Sequence, residues 1–585
     1  MEKNQAEKTI NIKINNIAAM AKEGQSILEA TKEIGVNIPT LCYLKGMNEI
    51  GACRICIVEV KGTKNLVASC VTPVEEGMEI LTNSPRVKAS RKTTLELLLS
   101  THRKDCLSCV RSGECELQAL CKQFGVEDEN RYKGAMPKYR QDCSTLHLIR
   151  DNSKCILCRR CEAACKNQHV AVIGANNRGF DTQIGCAFEK DLNEVPCISC
   201  GQCIVNCPTG ALRERDSCGA VMEAINNPQK VVVVHTAPSI RVSLGESFGL
   251  NIGANVKGKM VSALRRLGFD KVFDTDFGAD MTIVEEANEF VNRIKNNGTL
   301  PMITSCCPGW VKFCEHYYPE LLENLSTCKS PQQMLGAIIK TWYAEKHNLD
   351  AKNIVVVSVM PCTAKKFEIA REYQSAAGSP DTDYTLTTRE LVRMIKSACI
   401  DFKNLADEDF DPLLGVSTGA GTIFGTTGGV MEAALRTASD ILSGGPQRNI
   451  EYKEIRGTDA IKEATYKIGG ENIKVAVVSG LSNAVKILDK VKAGECEYHF
   501  IEVMSCPGGC VNGGGQPIQP SGVRNFADLK ATRAKGLYEE DKNLPLRKSH
   551  ENPTIKVIYE TFLGEPCSRQ AHKILHTKYT KRSKF

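Results

Sequence analysis

Two stretches 42 residues apart share one spacing. CILCRRCEAAC carries Cys155, Cys158, Cys161 and Cys165, and CISCGQCIVNCP carries Cys197, Cys200, Cys203 and Cys207. Two copies of an eleven-residue C-x2-C-x2-C-x3-C pattern are not packing accidents, because each confines four thiols to a segment too short for them to avoid one another. The whole chain holds 29 cysteines in 585 residues. Its start, MEKNQAEKTINIKINN, has no apolar core of a signal peptide, and no stretch approaches the ~18 apolar residues of a membrane helix. A cytoplasmic location and no membrane insertion are therefore expected. In a reducing compartment clustered thiols read as metal ligands rather than disulfides or small buried hydrophobes. The net charge of +7 is spread thinly with no long basic run, which gives little support for nucleic acid and fits a docking surface for an acidic protein partner equally well; no nucleic acid is expected.

The repeat has the two-cluster bacterial ferredoxin signature, in which the fourth cysteine of each copy ligates the other cluster. That pairing puts Cys155, Cys158, Cys161 and Cys207 on one 4Fe–4S cluster, and Cys197, Cys200, Cys203 and Cys165 on the next. Pro208 follows the second copy as expected, while Lys166 replaces proline after the first. Upstream lie two further groups. Cys42, Cys53, Cys56 and Cys70 follow a strand-like INIKINN and a helix-like QSILEATKEIGV. They resemble a plant-type 2Fe–2S set, although ten residues separate Cys42 from Cys53, and a tetrahedral zinc site is the alternative. His102, Cys106, Cys109 and Cys115 in HRKDCLSCVRSGEC would alone suit Cys3His zinc; their neighbours favour a 4Fe–4S cluster with one histidine ligand. The helix-like SRKTTLELLLSTH would deliver His102 at its end. Such a row of clusters carries electrons without naming their destination.

Beyond residue 222 the texture becomes α/β. Five apolar runs read as buried strands: KVVVVHTAPS, LPMITSCCPGW, NIVVVSVMPCTAKK, VAVVSGL and YHFIEVMSCPGGC. Ligands of open α/β sheets bind beyond the carboxyl ends of the strands, so Cys306, Cys307, Cys362, Cys506, Cys510, Pro238 and Ser239 could meet in one pocket. The glycines of SCPGGCVNGGGQP suit backbone packed against a bulky group, with zinc again the simpler alternative.

TSCCPGW (304–310), MPCTAKK (360–366) and EVMSCPGGCVNGGGQP (502–517) resemble the three signature motifs of iron–iron (FeFe) hydrogenases. The four upstream groups, in this order, resemble the large clostridial ferredoxin-dependent form. The resemblance implies a multidomain α+β and α/β chain. Its parts would be a β-grasp plant-type ferredoxin domain over 1–86, a His/Cys3 cluster domain over 87–134, a bacterial two-cluster ferredoxin domain over 135–222, and an α/β catalytic domain over 223–585. The implied cofactors are one 2Fe–2S cluster, three accessory 4Fe–4S clusters and an H-cluster, a cubane joined to a two-iron unit with carbon monoxide, cyanide and a bridging azadithiolate. Cys307, Cys362, Cys506 and Cys510 would hold the cubane, Cys510 also bridging to the two-iron unit. Cys306 would stay free and exchange protons with the bridging amine. Lys365, Ser239 and backbone near Pro238 would hydrogen-bond the cyanides, with Met360, Met504, Gln332 and Phe424 wrapping the cluster.

In VEEANEFVNRI, Glu286, Glu289 and Arg293 fall on one helix face, which by pattern alone is a solvated face with an ordinary ion pair. The resemblance instead makes them, with Ser326 and Cys306, a proton relay. The nine remaining cysteines, 121, 143, 186, 218, 314, 328, 399, 496 and 567, show no ligand spacing and are expected to be structural. The implied activity is reversible reduction of protons to hydrogen with electrons from ferredoxin or flavodoxin, the two-iron unit being supplied by maturation proteins. Two alternatives stand beside it. One is an iron–sulfur subunit of an NADH dehydrogenase, although no nucleotide-binding glycine fingerprint is evident. The other is a non-catalytic hydrogenase-like assembly or sensor protein.

Overall fold

The computed structural model of the chain describes residues 8–584. Thr9–Ile14 alternates exposed and buried side chains, the period-two pattern of a strand with one face on a core. It pairs antiparallel with Ile17–Lys22 and parallel with Glu79–Leu81 in a five-stranded sheet that also contains Ile57–Val60 and Val67–Ala68. The helix Ile27–Glu33 packs on this sheet; it starts at a capping box in which Ser26 and Glu29 satisfy each other's backbone amides. This is the expected ferredoxin-like arrangement, and INIKINN and QSILEATKEIGV occupy the expected elements.

The helix Pro85–Ser100 stops just short of His102. Its Leu95 and Leu99 join Leu41, Cys42, Ile55, Leu117, Leu120, Ile156 and Cys158 in one apolar cluster, so three of the cysteine segments share a core. Next, the repeat is visible in the backbone. Leu157 and Arg159 of the first copy, and Ser199 and Gly201 of the second, all have left-handed φ, between 53° and 70°. Each copy then enters a short helix, Arg160–Asn167 or Gln202–Asn206. Non-glycine residues rarely take this conformation, and the two copies hold it at matching positions.

The catalytic part is built on two sheets. In one, Lys271–Asp274, Val231–Thr236, Ile354–Met360 and Tyr384–Thr387 run parallel in that spatial order. In the other, Met302–Ile303, Phe500–Met504 and Glu471–Ser479 run parallel, with Ile461–Ile468 antiparallel at the edge. All five apolar runs are strands, yet they divide between two sheets instead of sharing one. The helix Thr275–Lys295 explains the division. Its Phe277 and Met281 pack with the first sheet's core, its Ile283, Ala287 and Phe290 with the second's. A Cβ on Gly278 would lie 2.3 Å from the Pro331 carbonyl oxygen, so a side chain there would drive the neighbouring helix Pro331–Ile338 away.

The chain beyond residue 525 carries no cluster motif, but it is core. Ile555, Ile558, Leu563, Ala571, Ile574 and Leu575 pack with Phe273, Phe277 and Met281. Among the described residues no helix is long and apolar enough to cross a membrane.

Candidate active site and electron path

Four strands, two from each sheet, deliver their carboxyl ends to one cavity. Its walls carry Pro238 and Ser239 after Val231–Thr236, Met360 and Cys362 at the end of Ile354–Met360, Cys306 and Cys307 after Met302–Ile303, and Met504, Cys506 and Cys510 after Phe500–Met504. Gln332, Lys365 and Phe424 complete them. Every cavity residue expected from sequence is therefore present on one surface. Burial pushes the thiols up, Cys362 to about 12 and Cys506 and Cys510 higher, with each thiol disfavouring ionisation of its neighbours. Thiols so placed become thiolates only when a metal supplies the compensating charge.

A group larger than one ion fits here. The wall carries five cysteines where a tetrahedral zinc takes four ligands, and the Ser239 hydroxyl is buried in it with no hydrogen-bond partner. Lys365 Nζ donates to the Cys306 carbonyl oxygen at 3.2 Å and to Glu368 at 2.9 Å. Burial disfavours the ammonium, but Glu368 more than restores its charge. A fixed cation and an orphaned hydroxyl in an otherwise apolar wall suit anionic ligands on a metal centre. The glycine-rich loop has a second use that its sequence does not announce. A Cβ on Gly509 would lie 2.6 Å from the Thr427 amide nitrogen, and one on Gly513 2.2 Å from the Pro361 carbonyl oxygen. The glycines thus wedge Cys506 and Cys510 between other backbones.

Sequence reasoning does not single out Glu368, though its spacing from Lys365 is that of neighbours on a helix turn. Its Oε2 accepts from Lys365, from Ser330 Oγ at 2.8 Å and from Gln332 Nε2 at 3.0 Å, tying three cavity-side residues together.

Glu286, Glu289 and Arg293 do share a face of Thr275–Lys295, but Glu286 is 1% exposed, so the solvated-face alternative fails. Neither Glu286 carboxylate oxygen has a hydrogen-bond partner. Burial pushes its carboxyl up to about 8, the Glu289 charge adding to the effect and the nearby Ser326 hydroxyl opposing it. Glu289 accepts from Arg293 at 2.6 Å and from Ser326 Oγ at 3.2 Å. Arg293 is itself held by the carbonyls of Leu325 and Asn324. At the other end, burial and then the Glu286 charge raise the Cys306 thiol well above its usual range. Arg293, Glu289 and Ser326 are thus joined by hydrogen bonds, and Glu286 lies near enough to Cys306 for its charge to act on the thiol.

The C-terminal segment adds groups that no motif announced. Thr327 Oγ1 donates to Glu289 at 3.2 Å and meets His576 Nδ1 at 2.7 Å, while the Tyr579 hydroxyl donates to the Ser326 carbonyl at 2.6 Å. Cys328 Sγ lies 3.6 Å from Glu289. That thiol borders the carboxylate line, beyond the purely structural part expected of it.

Along the electron path, Cys56 and Cys70 place their sulfurs 3.3 Å apart, with Cys42 and Cys53 close enough to perturb them. Cys155, Cys158, Cys161 and Cys207 line one cavity. Cys165 instead neighbours Cys197, Cys200 and Cys203. The exchange of fourth cysteines expected from spacing is thus present in the geometry. His102 Nδ1 is buried without a partner, and burial pushes the imidazole down to about 4, leaving it neutral as a ligand nitrogen must be. Cys109 Sγ would lie 2.6 Å from a Cβ on Gly210, so that glycine is needed to admit it. Cys121 lies beside Cys106 and Cys115 despite having no ligand spacing. Of the other unassigned cysteines, Cys186 and Cys314 are buried, Cys218, Cys496 and Cys567 half-buried, and Cys143 and Cys399 exposed. Cys200 lies against the glycine-rich loop of the active cavity: a Cβ on Gly514 would lie 2.1 Å from its carbonyl oxygen.

Known families align with these parts. Residues 230–514 match the iron only hydrogenase large subunit, C-terminal domain, and 527–582 the iron hydrogenase small subunit. Residues 7–85 match a 2Fe-2S iron-sulfur cluster binding domain, 91–130 the NADH-ubiquinone oxidoreductase-G iron-sulfur binding region, and 154–211 a 4Fe-4S dicluster domain. The chain is 50% identical to the NADP-reducing hydrogenase subunit HndD of Solidesulfovibrio fructosivorans, over 98% of its own length and 100% of the relative's. It is 46% identical to iron hydrogenase 1 of Clostridium pasteurianum, over 97% and 99%. Protein NAR1 of Arabidopsis thaliana, at 34% identity, matches only 66% of the chain. The apo FeFe-hydrogenase HydA1 of Chlamydomonas reinhardtii superposes with a TM-score of 0.57 at 39% identity, covering 63% of this chain and all of that one. The Solidesulfovibrio and Clostridium relatives span the cluster domains and the catalytic part together, and the chain belongs to the FeFe hydrogenase family, enzymes of hydrogen metabolism fed through iron–sulfur clusters.

Proposed function

We propose that this chain interconverts protons and hydrogen with electrons from reduced ferredoxin or flavodoxin in the cytoplasm. The observation that carries the reading is the meeting of Cys306, Cys307, Cys362, Cys506 and Cys510 in one apolar cavity with Lys365 charged in its wall. Cys307, Cys362, Cys506 and Cys510 would hold the cubane, and maturation proteins would supply the two-iron unit. The H-cluster provides the metal centre at which electrons and protons combine. The protein's own part is to bring both there dry and in order. Glu289, steadied by Arg293, takes up a proton; Ser326 relays it; the buried Glu286 holds it neutral and passes it to the Cys306 thiol. Lys365, Ser239 and the backbone at Pro238 hold the anionic ligands, while Gln332, Met360, Phe424 and Met504 exclude water.

Electrons enter through the accessory sites: one 2Fe–2S cluster on Cys42, Cys53, Cys56 and Cys70, and three 4Fe–4S clusters, the first on His102, Cys106, Cys109 and Cys115. The boundaries near residues 86, 134 and 222 separate these modules from the catalytic part. The exposed Leu107 and Leu157, each within a cluster loop and accompanied by exposed Arg103 and Arg159, suit a small acidic redox protein. A second reading is favoured by the 50% identical relative, named as an NADP-reducing hydrogenase subunit. On that reading a partner subunit carries the nucleotide chemistry. Hydrogen evolution by the purified chain with reduced ferredoxin, and none with NADPH, is expected on the first reading; the second requires added subunits for any physiological donor. Cys306→Ser is expected to leave iron content intact and nearly abolish turnover with either donor. Normal turnover in that variant removes Cys306 from the reaction.

A further inference from the structure

The second residue of the R-R-C and G-Q-C triplets, just before the third cysteine of each repeat, is Arg160 in the first copy and Gln202 in the second. Both are buried, and both reach out of their own module toward the next site. Arg160 donates to the Tyr43 carbonyl at 3.3 Å, beside Cys42. Gln202 Nε2 lies 3.2 Å from Cys506 Sγ and 3.0 Å from the Asn512 carbonyl oxygen. One amide nitrogen has two hydrogens, so it can serve both acceptors. The backbone at Gln202 is fixed as well: Asn206 Nδ2 donates to the Gln202 main-chain carbonyl oxygen at 2.7 Å.

We propose that Gln202 is a positioning residue that sets the reduction potential of the active-site cubane through an N–H···S bond to Cys506. The inference rests on Cys506 being a cubane ligand, as proposed above. Adding an electron to a thiolate-bound cluster increases the negative charge on its sulfurs, and a donor aimed at one of them favours the reduced state. Gln202 lies on the segment between Cys200 and Cys203, so the donor is carried by the accessory module itself. Docking of that module and the potential of the final acceptor are thereby linked.

The test is infrared spectroelectrochemistry on the matured, full-length enzyme, comparing wild type with Gln202→Leu and Gln202→Glu. In both variants the one-electron couple of the cubane is expected to shift about tenfold toward the oxidised form, ~59 mV more negative. The carbonyl and cyanide bands remain, and the accessory clusters, followed by electron paramagnetic resonance, keep their potentials. A merely structural glutamine would lower iron content or thermal midpoint without moving the couple, and an unmoved couple in either fully loaded variant overturns the proposal. If Gln202→Leu fails to load, Gln202→Glu decides alone. Loss of the carbonyl and cyanide bands from matured wild type would instead count against the H-cluster reading itself.

Discussion

Replacing Glu286 by glutamine tests the link between burial and proton delivery. The carboxyl is buried with both oxygens unpartnered, and burial raises its pKa from 4.5 to about 8. A tenfold change in a protonation equilibrium is worth ~1.4 kcal/mol, so ionising Glu286 in place opposes the fold by roughly 5 kcal/mol. At pH 7 the group therefore rests protonated in about nine molecules of ten, which suits a carrier that accepts a proton from one side and gives it up on the other. The amide of the variant would keep size and polarity while losing the exchangeable acid. Turnover, measured as hydrogen evolved from a reduced dye, is expected to fall by ~10²–10⁴-fold, the usual effect of a positioned acid–base group. Iron content and infrared bands should be unchanged. Stability supplies an independent sign. Folded Glu286 keeps its proton up to about pH 8, whereas an unfolded glutamate loses it near 4.5, so the native state binds more protons throughout that window. Its contribution is full below pH 4.5 and is lost as pH rises toward 8. Glu286→Gln should therefore flatten the fall in thermal midpoint between about pH 5 and 8. A variant with more than about a tenth of wild-type turnover, or an unaltered pH slope, would refute the reasoning.

Glu368→Leu should cost ~3–5 kcal/mol by leaving the Lys365 ammonium buried without its counter-charge, read as a lower thermal midpoint and poorer loading of the two-iron unit. Cys207→Ser should remove the cluster shared with Cys155, Cys158 and Cys161 while sparing the one on Cys165, and Cys165→Ser should do the reverse; paramagnetic resonance and iron analysis distinguish them. Gly514→Ala brings a methyl to 2.1 Å from the Cys200 carbonyl oxygen, so ferredoxin-driven turnover should fall more than turnover with a small dye that reaches the cavity directly.

Most of the ligand set was legible because metal chemistry writes itself as spacing: a C-x2-C-x2-C-x3-C repeat and an S-C-P-G-G-C loop survive any rearrangement of the fold. The strands were legible too, since Val231–Thr236 and Ile354–Met360 are apolar on both faces. Their division into two sheets was not, because nothing in a local apolar run records which neighbour it pairs with. The proposed relay is suggested by family resemblance alone; i, i+3, i+7 spacing says which residues share a face, and only packing of Thr275–Lys295 between two cores decides that Glu286 on it is buried. Glu368, Gln202 and His576 act through contacts made by polar side chains in ordinary local contexts. Gln202 and Cys506 are 304 positions apart, and no short-range pattern can announce such a pair.

The central claim is that the cavity between the two sheets holds an H-cluster used for hydrogen chemistry. It is tested most directly by infrared spectra of the protein purified without oxygen, made with and without the hydrogenase maturation machinery. Bands of metal-bound carbon monoxide and cyanide, present only after maturation and accompanied by hydrogen evolution, are the predicted result. A protein with its cubane and accessory clusters loaded, but without those bands under conditions that mature a control hydrogenase, would contradict it and leave the cysteines of the SCPGGC loop holding a cubane alone.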